Sequence, residues 1–78
     1  MTYNEALRHL MHEKGVEQVD LARAIGRSRS YVSQLMSGKV KEPTLSAAFA
    51  IADALGVTVQ DFLDLMHGDE QAGQQSQD

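Results

Sequence analysis

Gln18-Val19-Asp20-Leu21-Ala22-Arg23-Ala24-Ile25-Gly26-Arg27-Ser28-Arg29-Ser30-Tyr31-Val32-Ser33-Gln34-Leu35-Met36-Ser37-Gly38 carries its large apolar side chains at helical spacing and is punctuated only by glycine. Leu21, Ala22 and Ile25 fall on one side of a first helix, from Glu17 or Gln18 to Ile25, and Gly26 ends it. Ser28 offers a new N-cap almost at once. A second helix then spans Arg29 to Ser37, closed by Gly38, with Val32, Leu35 and Met36 on its inner side. At about 100 degrees per residue, Ser30, Ser33, Gln34 and Ser37 fall on the opposite side. That outer face is short and polar, where an ordinary solvated helix carries Glu and Lys.

The same punctuation extends in both directions and predicts an all-α chain of five short helices. Thr2-Tyr3-Asn4-Glu5 reads as a capping box, followed by a buried stripe of Ala6, Leu7, Leu10 and Met11, with Lys14 and Gly15 closing the helix. Beyond Gly38 the loop Lys39-Val40-Lys41-Glu42-Pro43 leads to Thr44, the expected cap of a fourth helix. Its apolar positions Leu45, Ala48, Phe49, Ile51, Ala52 and Leu55 surround much of its circumference, which predicts a central place in the core. Gly56 ends that helix, and Thr58 with Asp61 caps a fifth that reaches about Met66. Residues 1–67 are thus expected to form one domain. Residues 68–78, acidic and Gln-rich with nothing larger than Ala72 to bury, are expected to be a disordered tail.

Seventy-eight residues enclose a single modest core, and the absence of cysteine removes disulfides, thiolate metal sites and thiol nucleophiles. Charge interrupts every apolar run, so no membrane-spanning segment is expected, and the start lacks the pattern of a signal peptide. A cytoplasmic location follows as the expectation. The net charge of -4 conceals a strong segregation. Residues 1–41 hold all seven bases against four acids, a net of +3, while residues 42–78 hold seven acids and no base. Between Gly26 and Lys41 there are four bases and no acid. One basic face on an acidic body is the arrangement this implies.

Two helices joined by Gly26-Arg27-Ser28 match helix-turn-helix geometry, in which the second helix enters the DNA major groove. Short side chains on its outer face let the backbone approach the bases. The forked donors of Arg29 suit the two acceptors of a guanine edge, and the Gln34 amide matches adenine. Ser28 and the free amides at the helix start can hold a phosphate, and Arg27, Ser37, Lys39 and Lys41 are placed to meet the flanking backbone.

Gln18 to Gly26, Ser28 to Leu35, Gly38-Lys39, Pro43-Thr44-Leu45 and Ile51-Ala52-Asp53-Ala54-Leu55-Gly56-Val57 together resemble the Cro and lambda-repressor family, in its Xre-type branch, over residues 5–64. The resemblance implies a five-helix domain in which Gln18 contacts phosphate and braces the first residue of the recognition helix. It implies that Arg29, Ser30, Ser33 and Gln34 meet bases and that Lys39 meets phosphate. Three positions depart from the family pattern. Glu17 stands where a capping Ser or Thr is usual, Met36 replaces a frequent Glu, and the loop from Lys39 to Pro43 is a residue longer than the commonest form.

Other chemistries find less support. His9 and His12 lie three apart, but no further ligand completes a zinc set, and the serines have no paired His and acid in triad order. No enzyme activity, metal or cofactor is expected. The reading is of a sequence-specific double-stranded DNA-binding regulator, a repressor acting as a homodimer on paired half-sites. Phe62, Leu65 and Met66 are the expected dimer interface. The alternative is an antitoxin-like or adaptor protein whose acidic C-terminal half binds a protein partner.

Overall fold

The computed structural model describes residues 1–68, and within them five helices follow in order: α1 (Tyr3–Lys14), α2 (Gln18–Ile25), α3 (Arg29–Ser37), α4 (Leu45–Leu55) and α5 (Val59–Met66). Apart from Gly68, the expected tail of residues 68–78 lies outside the described residues. Among the described residues no single helix is long and apolar enough to cross a membrane.

Local chemistry sets the ends of the helices. Thr2 accepts from the Glu5 amide while Glu5 accepts from the Thr2 amide at 2.9 Å, and the same reciprocal pair joins Thr58 and Asp61. The Thr2 amide, more than any other neighbour, holds the Glu5 carboxyl below the usual carboxylate range. Ser28 and Thr44 each accept a single amide bond, from Tyr31 and Ala47. Glu17, at the N-cap of α2, makes no such bond.

Leu7 of α1, Leu21 of α2, Val32 and Leu35 of α3 and Ile51 of α4 are fully buried and meet at one centre. Transfer free energies give such a side chain about 1.5–3 kcal/mol of stabilisation each. Helix α2 packs on both α3 and α4, whereas α1 spans α3 and α5. Helix α5 is held by one aromatic pair: Phe62 stacks on Tyr3 with centroids 4.9 Å apart and planes inclined by 10°.

Two sequence expectations need correction here. Helix α4 is not covered all round: it buries Ala47, Ile51, Ala52 and Leu55, but Leu45 is 73% and Phe49 58% exposed. Neighbouring helices reach only one side of it, and Leu45 and Phe49, one turn apart, share the uncovered side. Phe62, expected at a dimer surface, is 2% exposed because Tyr3 covers it, while Leu65 and Met66 are half-buried against the core.

The Tyr3 hydroxyl is buried without a hydrogen-bond partner among the described residues. Burial first, and then nearby Tyr31, push its pKa above the ordinary phenol value. A folded-state pKa raised in this way leaves stability unaffected at neutral pH, where the phenol is protonated in both states, and lowers it as pH climbs past about 10, where the unfolded chain ionises first. Tyr3→Phe keeps the ring stack and removes the unpaired hydroxyl. Urea denaturation is expected to show unchanged or slightly higher stability at pH 7, by up to about 1 kcal/mol, and a flatter decline above pH 10. A loss well beyond 1 kcal/mol contradicts the unpaired assignment.

Candidate nucleic-acid interface

The turn between α2 and α3 is built by a glycine in the left-handed region. Gly26 has φ 71° and ψ 30°; its amide donates to the Arg23 carbonyl at 3.3 Å and the next amide, of Arg27, to the Ala22 carbonyl at 3.0 Å. Helices α1 and α4 end with the same pair of bonds, and there the residue after the glycine is Val16 or Val57, packed against the core. At the turn that residue is Arg27, which is exposed. Its guanidinium lies over the Tyr31 ring, 4.9 Å from the centroid, which holds a cation beside the start of α3.

Helix α3 presents its outer face as its spacing predicts. Val32 and Leu35 are fully buried and Met36 half-buried, whereas Arg29, Ser30, Ser33 and Ser37 are exposed. Gln34 is half-buried, and its Nε2 donates to Ser30 Oγ at 3.4 Å, so these two groups are coupled across one turn. Ser28 Oγ accepts from the Tyr31 amide at 3.1 Å, which leaves its hydroxyl proton available to an anion. Ser37 is occupied differently: its hydroxyl donates to the Gln34 carbonyl at 3.2 Å and accepts from the Lys39 amide at 3.3 Å. It braces the exit from α3 and so sets the path of the exposed Lys39 and Lys41.

One further tie fixes that exit. Asn4 Nδ2 of α1 donates to the Met36 carbonyl at 3.4 Å, and the Val40 amide returns to the Gln34 carbonyl at 3.1 Å. Asn4 carries no sequence signal for this role, since its partner lies on another helix.

Gln18 and Arg29 line the same open groove, of about 520 Å³, together with Arg8 and His12 of α1, Glu17 and Met36. Their two side chains are not hydrogen-bonded to each other in the free protein. Arg8 is the residue that sequence reasoning missed: helical phase places it on the outer side of α1, but only the packing of α1 against α3 carries it to Arg29. Glu17 is the acid in this otherwise cationic groove. Met11 and Met36 give the groove an apolar wall. Among the described residues no group of three His, Asp or Glu side chains is placed to hold a metal ion.

Around the start of α3 lie Arg8, Gln18 and Arg29 in one groove and Arg27 over the Tyr31 ring, while Lys39 and Lys41 follow the end of the helix.

Comparison with known proteins agrees with this geometry. Residues 6–67 match the family model of the Cro/C1-type HTH DNA-binding domain. The chain is also similar to the HTH-type transcriptional regulator DdrOP3 of Deinococcus deserti, with 37% identity over 71 aligned positions that cover 88% of this chain and 54% of that protein. The chain therefore spans about half the length of this curated relative.

Glu17 supplies a test of the face as a whole. Glu17→Ser introduces the missing cap of α2, worth about 0.5–1 kcal/mol of stability, and removes the acid from the groove. Denaturation and DNA titration on the same variant are expected to show both stability and affinity rising. Higher stability with unchanged or weaker affinity places this groove away from the nucleic acid.

Proposed function

We propose that this chain, which belongs to the Cro/C1-type helix-turn-helix family of DNA-binding domains, is a sequence-specific transcriptional repressor that reads the major groove with α3 and binds paired half-sites as a homodimer. The observation that carries the reading is the short polar outer face of α3, set between cations while its inner face is locked in the core. The relative's own name, a transcriptional regulator, supports the regulatory assignment.

In this reading Arg29, at the first position of α3, reads a guanine, and the coupled pair Ser30 and Gln34 with Ser33 reads the neighbouring base pairs. Gln18, Arg27, Ser28, Lys39 and Lys41 contact phosphate, and Arg8 joins them from α1. Ser37 acts with them by holding Lys39 in place. Repression needs no ligand: occupying a promoter excludes the polymerase. Counterion release then makes affinity fall about a thousandfold between 50 and 200 mM salt, in spite of the acidic total charge.

Two bases ten positions apart test the assignment, using an operator selected from random duplex DNA. Arg29→Ala is expected to cost about 1–3 kcal/mol on that operator and to relax preference at one base pair of each half-site. Lys39→Ala is expected to weaken operator and random duplex equally and to reduce the salt slope by about one unit. Titrations of both variants against the operator, its single-base variants and random duplex distinguish the roles. Uniform loss for Arg29→Ala with altered base preference for Lys39→Ala overturns the placement of α3.

A further inference from the structure

Two cavities outside the groove of Arg29 meet at Tyr3, Glu42 and Met66, which line both. One, of about 280 Å³, is walled by Pro43, Leu45, Ala48 and Leu63 and carries no charged residue except Glu42. The other, of about 380 Å³, adds Thr2, Asn4, Gly38 and Lys41 and is polar. Lys41 and Glu42 are consecutive, exposed and without a hydrogen bond or ion pair among the described residues. The aromatic wall that the two cavities share is fixed, because Tyr3 stacks on buried Phe62.

We propose that the joined cavities are a binding site for an α-amino acid with an apolar side chain, such as phenylalanine, and that its carboxylate competes with DNA phosphate for Lys41. The site stands on the cavities themselves; the competition rests on the reading above, in which Lys41 meets phosphate. An amino acid carries an ammonium and a carboxylate on one carbon, which complement Glu42 and Lys41, and its side chain extends past Tyr3 into the apolar groove. Other small ligands match only in part. A phosphate ester brings two negative charges to one lysine and sets them beside Glu42, and a simple carboxylic acid leaves Glu42 facing its carboxylate. An amine leaves Lys41 unmatched. Drug-sized ligands fill about 300–1,000 Å³, so a groove of about 280 Å³ suits one amino-acid side chain rather than a larger body.

Linkage sets what the ligand does. An occupant that holds Lys41 is bound less well when phosphate holds it, and by reciprocity DNA is bound less well when the site is filled. One phosphate contact per half-site is then lost, so operator affinity falls about fivefold or more and the salt slope drops by about one for each half-site. The cavities are open, and an occupant of about a dozen non-hydrogen atoms is held there with a dissociation constant on the order of 1 mM. Such a site responds to an abundant amino acid, not to a trace signal.

The test begins with the full 78-residue chain, isotopically labelled and without DNA, titrated with L-phenylalanine at constant pH and ionic strength. Saturable amide shifts are expected at Tyr3, Lys41, Glu42, Ala48 and Leu63, with a dissociation constant on the order of 1 mM. Glycine lacks the side chain, N-acetylphenylalanine the ammonium and phenethylamine the carboxylate, and each is expected to bind at least about tenfold more weakly. Ala48→Met fills the groove and is expected to remove phenylalanine binding while helical content and operator affinity stay unchanged. Glu42→Gln, at an exposed position, is expected to bring phenylalanine and its N-acetyl form to within about threefold of each other. No saturable shift up to about 20 mM, or glycine or phenethylamine binding as well as phenylalanine, overturns the site. With operator present, phenylalanine is expected to weaken binding by the parent chain and not by the Ala48→Met variant. Unchanged operator affinity at saturation overturns the competition. Lys41→Ala, titrated with operator and no amino acid, tests the phosphate contact by itself, so that failure of the DNA reading is told apart from failure of the site.

Discussion

The burial of Val32 and Leu35 is the constraint on which the rest depends. Both are completely withdrawn from solvent, and both sit on the helix whose other side carries Ser30 and Ser33. Because successive helical positions differ by about 100 degrees, turning α3 by one residue drives a polar side chain into the core and expels a branched apolar one. Burying an unpaired hydroxyl and exposing the apolar side chain each cost on the order of 1–3 kcal/mol. The core thus fixes which side chains face outward, and the turn at Gly26 fixes where the helix starts. Asn4 and Ser37 fix how the chain leaves it.

A single basic surface follows from that orientation. The chain is negative overall, yet Arg8 of α1 shares a groove with Arg29, and Arg27 and Lys39 flank α3 on either side in sequence, while the acids of α5 lie by Lys14 at the other end of α1. In the proposed reading, phosphate attracts the basic side and repels the acidic one, which favours the orientation in which α3 meets a duplex.

Most of the fold was legible because its signals are local. Thr2, Ser28, Thr44 and Thr58 cap the helices they precede, and Gly15, Gly26, Gly38 and Gly56 end the helices they follow, as short-range hydrogen bonding dictates. The outward face of α3 was legible for the same reason, since its phase is written in its own nine residues. What escaped depends on distance in sequence. A helix as evenly apolar as α4 gives no phase from which to tell its covered side, so Leu45 and Phe49 were misplaced. Phe62 is buried by Tyr3, from the opposite end of the domain, and Arg8 reaches the groove of Arg29 only through the packing of α1 on α3. Hydrophobic pattern identifies a helix and its stripe; it does not say which neighbour arrives to cover it.

Backbone amide chemical shifts, followed while a selected duplex is added to the isotopically labelled chain, test the central claim most directly. The account predicts that the large changes fall at Gln18, from Arg27 through Gln34, and from Lys39 to Lys41, with Val32 and Leu35 keeping the protection from hydrogen exchange of an intact core. Changes concentrated on the acidic α4 and α5, with the amides of α3 undisturbed, would contradict it.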